Sequence, residues 1–178
     1  MGKVLYTAEA SVRGGRAKGH GETSDGALAV DIRIPTELGG EGGGTNPEQL
    51  FAIGFASCFE SALSLVARRQ KANADDAKID SKVMLLPTEE RGFKLAVELD
   101  VTMPSVEDPE QAVELVRTAH KVCPYSNATR GNVDVTLPAV EDADQASDLV
   151  RSAHKVCPYS NATRGNVEVK LVANGTAV

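Results

Sequence analysis

The stretch Asn46-Pro47-Glu48-Gln49-Leu50-Phe51-Ala52-Ile53-Gly54-Phe55-Ala56-Ser57-Cys58-Phe59 decides the architecture. It reads as the opening of a helix. Asn46 is a capping residue, Pro47 suits the first helical position, and Gln49 stands where a capping-box partner would. From Leu50 onward the run is apolar nearly all round, which predicts a helix buried on most sides. Only past Arg68-Arg69-Gln70-Lys71 does it become solvated, with basic residues favouring the negative end of the helix dipole.

The flanking sequence supplies strands to surround that helix. Upstream, Leu5 to Val12 alternates in part, Gly14-Gly15 and Asp25-Gly26 are turn signals, and Leu28 to Ile34 reads as a strand. Gly39-Gly40-Glu41-Gly42-Gly43-Gly44 reads as a flexible loop; no Gly-Lys-Ser/Thr follows it to support a nucleotide-binding reading. Downstream, strands are expected at Lys82 to Leu86 and Phe93 to Met103, the second with Leu95, Val97, Leu99 and Val101 on one face. Asp108-Pro109 caps a helix through Val122, and Val133, Val135 and Leu137 alternate in a closing strand. The order β, α, β, α, β predicts an α+β fold, mostly antiparallel sheet around a central helix.

Composition narrows the function classes. The chain has 178 residues, 42% of them hydrophobic and 25% charged, ample to bury a core. A net charge of −6, with aromatics at 4% and no Trp, argues against nucleic acid as a partner. No apolar run is read as approaching the ~20 residues of a membrane span, so no membrane partner is expected. The N-terminus carries no apolar signal-peptide core, and a cytoplasmic location follows as the expectation. Three cysteines, an odd number, point to thiol chemistry or a metal rather than a disulfide scaffold.

The chain also contains an internal copy. Val106 to Ala139 aligns without gaps on Val140 to Ala173, with eight of the 34 pairs differing. A period of 34 is that of a helix–turn–helix solenoid unit, yet each copy here reads helix, loop, strand, and there are two. The expected organisation is one domain over residues 1–139, followed at 140–178 by a second copy of the 106–139 unit.

Two thiols stand out. Cys58 lies mid-helix in the apolar run, where a free cysteine is commonly a small buried hydrophobe. Cys123, in Val122-Cys123-Pro124-Tyr125, falls where a helix must end before proline, a position expected to be more reachable than the mid-helix one. Together they suggest a peroxidatic and a resolving cysteine, the first passing through a sulfenic acid that condenses with the second. An apolar helix raises a thiol's pKa, so a nearby cation is required. Arg16, beside Gly14-Gly15, is the candidate, with Glu48 placed to hold its guanidinium in a bidentate grip. A rival constellation is zinc, from His120, Cys123, His154 and Cys157. That set arises entirely from the duplication and leaves Cys58 unused. His20, among glycines, has no triad partners.

At these residues the sequence resembles the organic hydroperoxide resistance (Ohr) branch of the OsmC/Ohr family, over residues 4–137. The segments that carry the resemblance are Gly14-Gly15-Arg16, Leu38-Gly39-Gly40, Gly44 to Phe51, Ser57-Cys58-Phe59 and Val122 to Asn132. It implies an OsmC/Ohr-like fold with antiparallel sheets around a buried central helix, assembled as an intertwined homodimer. It also implies a peroxidase without metal or other cofactor that reduces organic and fatty-acid hydroperoxides to alcohols. In that scheme Cys58 is the peroxidatic thiol, Cys123 resolves it, and Arg16 with Glu48 keeps Cys58 ionised. The reductant is a dithiol of the dihydrolipoyl type, suited to a site lined by Phe51, Phe55 and Phe59. The family pattern ends near Leu137, so Cys157 is left as a possible alternative resolving thiol. A redox-sensing or metal-binding derivative, in which the copied segment alters or blocks the site, is the alternative reading.

Overall fold

The computed structural model describes residues 3–132, 134–136, 158–165, 172–173 and 176–177. The chain divides into two compact units, Met1–Phe51 and Ala52–Val178. The expected boundary at 139/140 and most of the second copy, including His154 and Cys157, lie outside the described residues.

In the first unit, β1 (Ala10–Arg13), β2 (Gly19–Thr23) and β3 (Ala29–Ile32) form an antiparallel meander, with the one-turn helix α1 (Gly15–Lys18) between β1 and β2. The strand read from Leu5 begins only at Ala10. Asp25 builds the β2–β3 turn, accepting from the Thr23 hydroxyl at 2.6 Å and from Ala27 N–H at 3.0 Å, with Gly26 at φ 70°. These two donors hold the Asp25 carboxyl below its ordinary value. The glycine-rich loop turns back so that Thr45 bridges Ile32, its N–H donating to the Asp31 carbonyl at 2.8 Å.

That return delivers the chain to α2 (Pro47–Arg69), which begins in the first unit and runs on through the second. Asn46 caps it, its side-chain oxygen accepting from Gln49 N–H at 2.9 Å. The reciprocal half of the capping box is absent, because Gln49 accepts from the Thr45 hydroxyl at 2.9 Å instead. Burial follows a single stripe, Phe55, Phe59, Ala62, Leu63, Val66 and Ala67, at the three- and four-residue spacing of one helix face. The expectation of a helix buried on most sides is therefore corrected: Ile53 is 67% exposed, and Leu65 is exposed as well. The view that no segment has the character of a membrane span also needs correction. By length and composition, α2 is long and apolar enough to cross one.

The second unit is built on a hairpin. β4 (Lys78–Pro87) and β5 (Phe93–Thr102) pair antiparallel over their whole length, from Lys78 opposite Thr102 to Pro87 opposite Phe93. β4 starts four residues before the expected Lys82, because polar rungs extend the pairing where no apolar alternation marks it. Lys82 meets Glu98 across the strands at 2.6 Å. On β5, Leu95, Val97 and Leu99 are buried and Val101 is half-buried, as the alternation predicts. Helix α3 (Pro109–Val122) starts at Asp108, whose carboxylate accepts from Glu110 N–H at 3.0 Å, and buries Leu115, Val116 and Ala119. The short α4 (Pro124–Thr129) follows, and β6 (Asp134–Thr136) closes the sheet parallel to β5. From the copied segment come α5 (Pro158–Thr163) and the pair β7 (Val172–Ala173) and β8 (Thr176–Ala177). Mixed helices and mostly antiparallel sheets make the α+β class expected from the sequence.

Candidate functional site: a thiol pair and an ion pair

Cys58 sits in the middle of α2, and its sulfur lies 3.5 Å from that of Cys123 in an S–H···S hydrogen bond. Both cysteines are free. Cys123 is held by its own backbone. It is the C-cap of α3 and the N-cap of α4, at φ −63° and ψ 123°, the extended conformation that a following proline imposes. Its N–H donates to the Ala119 carbonyl at 2.8 Å, and its carbonyl accepts from Asn127 N–H at 3.0 Å. Arg130 fastens the same corner, donating to the His120 carbonyl at 3.0 Å and to Asn127 Oδ1 at 2.9 Å.

The order of accessibility is the reverse of the expectation. Cys123, at a helix boundary, has 0% exposure, whereas mid-helix Cys58 is partly exposed. A helix end is open only when nothing covers it, and here Ala119, Ser126 and Thr129 are buried around the same corner. Cys58 is therefore the more accessible of the two thiols.

Burial pushes the Cys58 thiol up to about 11; a main-chain hydrogen bond from Tyr125 opposes the rise, and the Cys123 sulfur adds to it. The apolar helix thus acts on its cysteine in the direction read from the sequence. Phe55 and Phe59 are wholly buried as core side chains, and Phe55 meets the Tyr125 ring at a centroid distance of 5.8 Å.

In the first unit, Arg16 and Glu48 form an ion pair, Nη2 to Oε2 at 2.5 Å. Gly14 at φ 79° and Gly15 at φ 60° shape the turn that carries Arg16. A Cβ on Gly14 would lie 2.5 Å from the Lys18 carbonyl oxygen, so no other residue fits there. The grip is single and not bidentate, a correction to the sequence reading. The Arg16 side chain remains 38% exposed, and Glu48 Oε1 is buried with no hydrogen-bond partner.

Among the described residues no three His, Cys, Asp or Glu side chains converge as a metal-ligand group. His120 lies on α3 with Nδ1 buried and unpartnered. His20 pairs with Asp31 at 2.9 Å and with Arg33 draws that carboxyl down. Two residues at the thiol pair carried no role in the sequence reading: Tyr125, which reaches Cys58, and Gly54, on which Tyr125 rests. A glycine inside an apolar helix was the available signal, since it is unfavourable there unless something must approach closely.

The sequence profile of the family described as OsmC-like protein matches residues 40–138. An organic hydroperoxide resistance protein from Xanthomonas axonopodis pv. citri is 50% identical over 135 residues, covering 74% of this chain and 92% of that protein. The organic hydroperoxide resistance protein OhrB of Bacillus subtilis is 49% identical over 131 residues, covering 73% and 94%. Among solved structures, an organic hydroperoxide resistance protein from Legionella pneumophila superimposes with a TM-score of 0.71 at 55% identity, covering 75% of this chain and 96% of that one.

Proposed function

Because this chain belongs to the OsmC-like family, in its organic hydroperoxide resistance branch, we propose that it detoxifies organic hydroperoxides in the cytoplasm as a two-cysteine peroxidase. The observation that carries the reading is the 3.5 Å approach of the partly exposed Cys58 sulfur to the buried Cys123 sulfur. The Cys58 thiolate attacks the terminal peroxide oxygen, the O–O bond breaks, and the alkoxide takes a proton and leaves as the alcohol. The sulfenic acid on Cys58 then condenses with the Cys123 thiol, forming the S–S bond and releasing water. A dithiol of the dihydrolipoyl type returns both cysteines to thiols by two exchange steps and becomes a disulfide itself.

A thiol pushed up to about 11 is a poor nucleophile at neutral pH. The proposed remedy is Arg16, held by Glu48, which favours the thiolate and orients the peroxide. The proposed assembly is a homodimer; exposed apolar side chains on α2, Ile53 and Leu65, support it. Residues 1–139 are the proposed peroxidase domain, and residues 140–178 a second copy of its resolving unit, with Cys157 as an alternative resolving thiol.

The test is consumption of cumene hydroperoxide with dihydrolipoamide as reductant. Sustained turnover abolished by Cys58→Ser is the expected result. Disulfide formation without sustained cycling would instead favour a redox sensor.

A further inference from the structure

Tyr125 lies against α2 one turn before Cys58. Gly54 precedes Cys58 by four residues, so the two share one side of the helix. A Cβ built on Gly54 would lie 3.2 Å from the Tyr125 hydroxyl oxygen and 3.3 Å from its Cε2. The tyrosine therefore rests on bare helix backbone, in a seat that any other residue at 54 would fill. Its ring also meets Phe55 at 5.8 Å, tilted by 57°. Tyr125 is 39% exposed, so these contacts cover it only in part. The same residue reaches the Cys58 sulfur with a main-chain hydrogen bond, two positions after Cys123, the N-cap of α4.

We propose that Tyr125 is a positioning residue for Cys58: its ring, seated on Gly54, holds its own main-chain N–H against the sulfur. A backbone donor is not removed by changing the side chain that follows it. It is aimed by whatever fixes that stretch of chain, and here the ring provides the anchor. An N–H pointed at sulfur favours the thiolate over the thiol, and it does so from the side of the resolving cysteine. Pro124, with its fixed φ, ties this donor to the Cys123 corner, so the contact at Gly54 bears on both members of the thiol pair. The purpose assigned to this contact rests on the peroxidase reading; the contact's effect on Cys58 does not.

The test is the rate of iodoacetamide alkylation at the Cys58 peptide of the fully reduced chain, followed by mass spectrometry from neutral to alkaline pH. Gly54→Ala and Tyr125→Ala are expected to move the profile to higher pH, lowering the neutral-pH rate by about three- to tenfold, the effect of one lost hydrogen bond. Tyr125→Phe, which keeps the ring, is expected to follow the parent profile. Parent-like profiles for both alanine variants would overturn the proposal, as would a Tyr125→Phe shift equal to that of Tyr125→Ala. Should Gly54→Ala unfold, which circular dichroism would reveal, Tyr125→Ala decides alone, since removing a part-exposed ring leaves the core filled. No peroxide enters this measurement. An inactive parent would therefore sink the peroxidase reading without touching this result.

Discussion

The Cys58 and Cys123 sulfurs stand 3.5 Å apart, joined by a hydrogen bond and not by a covalent bond. A disulfide needs about 2.05 Å, a short closing step for two side chains already in contact. One equivalent of cumene hydroperoxide should therefore produce a dominant Cys58–Cys123 disulfide, read by peptide mapping under non-reducing conditions. In Cys123→Ser the oxidised state should stop at a Cys58 sulfenic acid that dimedone traps. A dominant Cys58–Cys157 bond would move the resolving role to the copied segment.

Ionisation of Cys58 gives a second prediction. Burial raises its pKa to about 11 in the resting chain, so the thiolate fraction climbs about tenfold per pH unit up to that value unless the proposed Arg16 contribution, made when the peroxide is bound, offsets it. Arg16→Ala should show this climb in its rate of hydroperoxide consumption, whereas the parent should level off at lower pH. At neutral pH the loss should be on the order of 10²–10³-fold, that of one preorganised electrostatic partner. Glu48→Gln, which keeps the shape but loosens the single Nη2–Oε2 grip, should fall between the two. Identical pH profiles for the parent and Arg16→Ala would remove Arg16 from the mechanism.

Much of this was legible in the sequence because the signals are local. Asn46 and Asp108 cap the helices that their positions foretell, and the period-two pattern of Leu95, Val97 and Leu99 marks the buried face of β5. The failures arise where the deciding contact is remote. The apolar circumference of α2 does not reveal which side the chain itself covers. The boundary position of Cys123 carries no information about what packs over it. The role of Tyr125 depends on a glycine 71 positions earlier, and no periodicity connects the two.

His120 supplies a third prediction, concerning stability. Burial, then the Arg130 charge, lowers its pKa from an ordinary 6.5, and its buried Nδ1 has no partner. The folded chain thus takes up this proton at lower pH than the unfolded chain, which does so as pH falls through 6.5. Below that pH the unfolded state binds more protons, so stability is present above it and declines on acidification. Thermal unfolding of His120→Gln should depend less on pH in this window than that of the parent. An equal dependence in the two would place the acid sensitivity elsewhere.

The fourth prediction concerns the copied segment. Its helix α5 repeats α4 in its local bonds: the Thr163 hydroxyl donates to the Tyr159 carbonyl at 3.0 Å, as the Thr129 hydroxyl does to the Tyr125 carbonyl at 2.8 Å. The repeat extends to Arg164, which donates to Asn161 Oδ1 as Arg130 donates to Asn127 Oδ1. A copied sequence reproduces such bonds wherever it lies, because both partners are copied with it. Docking is another matter, because it depends on neighbours outside the copy. Asn161 donates to the Phe93 carbonyl at 2.7 Å, at the start of β5, and Ala162 is fully buried. The helix is thus bonded into the second unit, and removing it should cost stability. Asn161→Ala should lower the unfolding free energy by about 0.5–1.5 kcal/mol, the worth of one hydrogen bond, measured by chemical denaturation. Deleting residues 140–178 should cost at least as much, yet leave the yield of the Cys58–Cys123 disulfide unchanged, since neither sulfur nor the corner around Cys123 lies in that segment. A deletion that raised turnover without loss of stability would instead mark the copy as an obstruction at the thiol pair.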